Sequence, residues 1–109
     1  MIRSSLPFAK ALAAALPLVL SLPAVAQDSA ALRTSALAAT CANCHGTAGR
    51  AVDGASVPGL AGLPASYVVE QMKAFKAGTR PATVMHQLAK GYSDAQIDQL
   101  AAYFAVQKK

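Results

Sequence analysis

The stretch Cys41-Ala42-Asn43-Cys44-His45 places the only two cysteines of the 109-residue chain three positions apart, with a histidine directly after the second. Such a string serves a redox dithiol, half of a zinc site, or a covalent haem anchor in which the adjacent imidazole takes the iron. A thioredoxin-like dithiol needs a βαβ setting, and no segment shows sustained period-two alternation. Tetrahedral zinc needs four ligands, and the only other Cys or His is His86. On a helical turn, residues three and four apart share a face, so Cys41, Cys44 and His45 would meet one edge of a flat ligand. Covalent c-type haem attachment is the reading that uses all three side chains.

A second axial ligand would come from Met72, Met85 or His86. Met72 shares a helical stripe with Val68 and Phe75, the pattern of a core side chain. Met85 follows Arg80-Pro81 and lies 40 residues beyond His45, far enough for the chain to fold over the opposite haem face. Thioether ligation there would raise the iron's potential and suit electron transfer. His86 is the rival: imidazole would lower the potential and leave Met85 as packing.

Three helices must position these residues. From Ser29 to about Thr40 the chain is rich in Ala and Leu, with Asp28 or Ser29 available as a cap and Leu32, Ala36 and Ala39 at helical spacing. A second helix is expected from about Pro64 to Ala77, closed by Gly78. The third opens at Ser93-Asp94-Ala95-Gln96, an S-x-x-Q capping box, and carries Ile97, Leu100, Ala101 and Phe104 on one stripe. Between the first two, Gly46 to Gly62 holds five glycines and reads as an irregular loop. Loops of that length in a small domain are uncommon unless they wrap something or carry function. The expected fold is all-α, with a core thin enough to need a non-protein centre.

Residues 1–26 read as a secretory leader: Arg3 and Lys10 flank the apolar run Ala11–Leu22, which ends in Ala24-Val25-Ala26, an A-x-A cleavage site. The run is 12 residues, whereas a membrane span takes about 20. Cleavage leaves one domain, residues 27–109, with eight basic and five acidic residues and a formal charge of +3. Export implies an oxidising compartment, the periplasm, where cysteines ordinarily pair. A disulfide within CANCH would restrain the unfolded chain very little, so a structural staple explains the pair poorly. The mild, scattered charge gives no support to nucleic-acid binding.

The mature chain resembles the class I cytochromes c. The matching parts occur in family order: a leading helix into CANCHG, the loop "VPGLAG", the helix "YVVEQMKAFKAG", a methionine segment and the closing helix "IDQLAAYF". That resemblance implies one haem c per chain, with Cys41 and Cys44 as thioether anchors, His45 as proximal ligand and Met85 as distal ligand. It also implies that the Pro58 carbonyl accepts a hydrogen bond from the proximal imidazole and that Leu60 packs on the ring. The first and last helices would cross, with Tyr103 or Phe104 against the small residues around Ala36.

The stretch "TVMHQLAKGYSDAQIDQLAAYF" is most similar to the haem subunit of flavocytochrome c sulfide dehydrogenases, which takes electrons from a flavoprotein subunit. The resemblance thus implies a non-catalytic electron carrier with a flavoprotein donor and a downstream acceptor. A freely diffusing carrier is the alternative within the class. A haem enzyme or gas sensor with an open iron position is the alternative outside it, opposed by Met85.

Overall fold

The computed structural model describes residues 24–109. Among these residues there are helices and no strands, in agreement with the all-α expectation. Helix α1 spans Ala24–Ala39, α2 Ala42–His45, α3 Ala65–Ala77, α4 Met85–Leu88 and α5 Asp94–Ala105, with short 3-10 turns at Thr47–Gly49 and Ala89–Gly91. Most of the expected leader lies outside the described residues.

Helix α5 is the spine. Its stripe Ile97, Leu100, Ala101 and Phe104 is wholly buried, as the period predicted. The capping box is formed: Ser93 Oγ accepts from the Gln96 backbone N–H, and Gln96 Oε1 accepts from the Ser93 N–H. Two otherwise orphaned donors are thereby satisfied at the helix start. Helix α3 starts after Pro64, buries Val68 with Met72 and Phe75 partly buried, and ends at a left-handed Gly78. It packs on both α5 and α4.

Helix α1 differs from expectation at its start and in its face. It begins at Ala24, so Asp28 and Ser29 lie within it rather than capping it. No glycine or proline interrupts the chain between Ala24 and Ala39, and nothing in that run stops a helix from propagating upstream. The face turned inward is Leu37 and Ala38, not Leu32, Ala36 and Ala39, all of which are exposed. Small apolar and polar residues are both spread round the helix, so its residue pattern does not select one stripe. The crossing with α5 is present, and Ala38 is its centre: Ala38, Leu100 and Phe104 form one buried cluster, with Leu37, Cys41, Leu60, Tyr92 and Tyr103 packed against it.

The long loop is tied down by its backbone. Gly49 O accepts from the N–H groups of Leu60 (2.7 Å) and Ala61 (3.0 Å), and Gly62 N–H donates to Phe104 O at 2.8 Å. Gly49 is buried at φ +76°, and a Cβ there would stand 2.8 Å from the Phe104 ring and 2.9 Å from Leu60 Cβ and Ala61 N. The side chain is excluded both by space and by the left-handed backbone.

Gly49→Ala is expected to cost about 3 kcal/mol in thermal or denaturant unfolding, from strain and overpacking together. Gly91→Ala, where an added Cβ meets open space at an ordinary φ, is expected to stay within about 0.5 kcal/mol of the parent.

Candidate haem-binding site

The CANCH turn is built where α1 stops. Cys41 follows its last turn and its N–H donates to Ala38 O at 3.0 Å, while Cys44 and His45 lie in α2, whose His45 N–H returns to Cys41 O at 3.0 Å. One helical turn therefore carries all three side chains. Neither cysteine is in a disulfide. Cys44 is exposed and Cys41 half-buried against the core cluster. Burial pushes the Cys41 thiol above its ordinary range, with Thr40 partly offsetting it.

His45 is buried, and its Nδ1 lies 2.6 Å from Pro58 O. A carbonyl oxygen only accepts, so Nδ1 carries the proton and donates. The Nε2 lone pair is then free, which is the tautomer an imidazole needs to bind a metal from that atom. Gly46 follows at φ +84°, and any side chain there would collide with Arg50 O, 1.9 Å from the Cβ position. That glycine lets the chain leave His45 sharply and bring the loop back with Pro58 against the imidazole.

Leu60 is half-buried and joins Cys41 in packing on the Ala38, Leu100 and Phe104 cluster. Met85 opens α4 and is half-buried. The structure thus brings Cys41, Cys44, His45, Pro58 and Leu60 together. Met85 stands on a separate wall, where α4 packs on α3 and on the 3-10 turn Ala89–Gly91. His86 turns its Nδ1 away from solvent without a hydrogen-bond partner.

Sequence reasoning missed one group at the site. Thr40 Oγ1 donates to Leu37 O at 2.7 Å and lies 2.9 Å from Tyr92 Oη. With the Thr40 proton already placed, Tyr92 O–H is the donor. The Tyr92 backbone carbonyl accepts from Lys76 Nζ at 2.7 Å, and the same ammonium pairs with Asp94 at 3.0 Å. The residue before Cys41 is thereby fastened to α3 and to the start of α5. No local pattern announces this clasp, which joins residues 52 positions apart.

The donor set fits a haem: two cysteines on one helical turn, not joined to each other, and an adjacent imidazole with the required tautomer. The cytochrome c family model matches residues 31–106. The chain belongs to the cytochrome c family. Covalent haem c is the cofactor of that family, and Cys41 and Cys44 of CANCH are its attachment cysteines here.

Among its relatives, this cytochrome is 43% identical over 68 residues to the thiosulfate dehydrogenase electron acceptor of Thiomonas intermedia, covering 62% of the chain and 31% of the relative. It is 38% identical over 72 residues to the cytochrome subunit of sulfide dehydrogenase of Chlorobaculum tepidum, covering 66% of the chain and 64% of the relative. Against cytochrome c-554(548) of Halomonas halodenitrificans it is also 38% identical over 72 residues, covering 63% of the chain and 86% of the relative. The chain spans about a third of the length of the thiosulfate dehydrogenase electron acceptors it matches. Among the described residues, no helix is long and apolar enough to cross a membrane.

In a double-mutant cycle on the clasp, Tyr92→Phe is expected to cost about 1 kcal/mol of unfolding free energy. It should cost much less once Thr40→Val has removed the acceptor, leaving a coupling of at least about 0.5 kcal/mol. Additive losses would show that the two hydroxyls do not act as a pair.

Proposed function

We propose that this cytochrome is the electron-accepting haem subunit of a sulfide dehydrogenase, a non-catalytic one-electron carrier served by a separate flavoprotein that oxidises sulfide. The carrying observation is its 38% identity to the C. tepidum sulfide dehydrogenase cytochrome subunit, of which it covers 64%. The electron acceptors of thiosulfate dehydrogenases support the same general role, receipt of electrons from an enzyme acting on reduced sulfur.

In this reading residues 1–26 are the leader, and residues 27–109 work in the periplasm and deliver electrons to a downstream acceptor. Cleavage would shorten α1 to begin near Asp28. The haem supplies a reversible one-electron iron couple. Cys41 and Cys44 would hold it through thioether bonds, and His45 Nε2 and the Met85 sulfur would be the groups that ligate its iron. Pro58 O fixes the imidazole through the Nδ1 proton, and Leu60 provides apolar cover for the ring. Two side-chain ligands would leave the iron no open position, which suits electron exchange rather than the binding of small molecules. Nothing in this role needs a proton donor or a nucleophile from the chain.

A second reading, a freely diffusing carrier, is favoured by the 86% coverage of cytochrome c-554(548). Purification of the chain from its native host separates the two. Co-migration with a flavin-containing protein, and haem reduction on adding sulfide to the complex, is the expected result. A haem protein that purifies alone, and that a flavoprotein reduces only on transient encounter, would sink the subunit assignment and leave the carrier.

Ligation is tested by substitution. Met85→Ala is expected to abolish the far-red sulfur-to-iron band of the oxidised protein and to let the ferrous form bind carbon monoxide. His86→Ala is expected to retain the band. A parent protein without that band, in which His86→Ala and not Met85→Ala lets the ferrous form bind carbon monoxide, would transfer the ligand role to His86.

A further inference from the structure

The segment that carries Met85 leaves α3 at Gly78 and rejoins the core at Ser93, the cap of α5. Its outgoing end is held on α3: the N–H groups of Thr79 (3.0 Å) and Arg80 (3.2 Å) donate to Ala74 O, and Arg80 Nη1 donates to Gln71 Oε1. Its returning end is held by two features. Ala89 is buried, and the Tyr92 backbone carbonyl accepts from Lys76 Nζ at 2.7 Å across 16 residues. The same ammonium pairs with Asp94 at 3.0 Å, and the Lys76 side chain is 33% exposed. Between the two ends, the N–H groups of Gln87 and Leu88 donate to Val84 O, bonds that shape the turn around Met85 without tying it to another element.

An ammonium donates in up to three directions, and hydrogen bonds from a charged donor are stronger than neutral ones. Two of those directions are used here, at the point where the segment returns to α5. Lys76 therefore closes the base of the Met85 segment. Tyr92, held through its carbonyl, reaches through its hydroxyl to Thr40 beside Cys41 at 2.9 Å. We infer that Lys76 is a positioning residue for Met85, clamping the base of its segment to the haem-attachment turn and so holding the thioether where it ligates; this rests on the Met85 assignment proposed above. With the clamp released, residues 78–91 gain the freedom to carry the sulfur away. A docking charge for an acidic partner is the competing role, and it would need an ammonium not already held by a carboxylate and a carbonyl. Lys73, one turn earlier on α3 and exposed, supplies the contrast.

Added imidazole can reach the iron only when the resident side chain leaves it, so its apparent affinity for the ferric holoprotein reports how often the segment opens. In the full holoprotein, Lys76→Met is expected to raise that affinity about five- to tenfold. It is also expected to speed amide hydrogen exchange in residues 78–91 while Leu100 to Phe104 keep the parent rates. Lys76→Arg, which keeps the charge and its donors, is expected to fall between. Lys73→Met, which removes a charge from the same helix, is expected to leave both readouts at the parent value. Parent-like imidazole affinity in Lys76→Met would overturn the inference. So would faster exchange spread evenly over the chain, since Lys76 would then support the fold as a whole, or equal effects of Lys76→Met and Lys73→Met, since charge alone would then be responsible. A parent holoprotein without the far-red band would overturn the Met85 assignment itself, and that spectrum is recorded before any substitution is made.

Discussion

The hydrogen bond from His45 Nδ1 to Pro58 O is the constraint on which the arrangement turns. It decides which imidazole nitrogen carries the proton and therefore which one can bind a metal. It also demands that a loop from Gly46 onward come back to the residue it has just left. Gly46 permits the sharp departure, Gly49 O receives Leu60 and Ala61, and Gly62 closes on Phe104. The glycine-rich segment is thus a cradle shaped by backbone bonds, and its low side-chain content is what allows the close approaches.

Around that cradle the protein core is small. Among the described residues, the buried apolar ones are Ala38, Ala61, Val68, Ala89, Ile97, Leu100, Ala101 and Phe104, four of them alanines. Alanines permit close crossing of α1 and α5 but bury little area each, so the large side chains of α5 carry much of the packing. A covalently held apolar macrocycle complements such a fold: it adds buried surface at the centre, and its tether removes freedom from the unfolded chain. Stability and redox function then draw on the same cofactor, and the clasp from Lys76 through Tyr92 to Thr40 fastens its attachment turn to two other helices.

Much of this was legible in the residues. CANCH states its chemistry through types and spacing, the capping box at Ser93 marks the start of α5, and the four-residue stripe of α5 is buried as its period requires. The inward face of α1 was not legible, because Ala and Leu occur nearly all round it and the residues that meet Leu100 and Phe104 are chosen by the crossing itself. The 3-10 turns and α4 were hidden for a related reason: elements of three or four residues are too short for a period to show.

By itself, the sequence determined the all-α class, the anchoring cysteines with their adjacent imidazole, and the helix that organises the core, since each follows from local spacing or capping chemistry. The tertiary structure alone decided the face of α1 that turns inward, the His45 tautomer enforced by Pro58 and the clasp at Thr40. These depend on groups brought together across long chain separations. No local pattern encodes where such groups meet, because their meeting is the outcome of packing the whole chain.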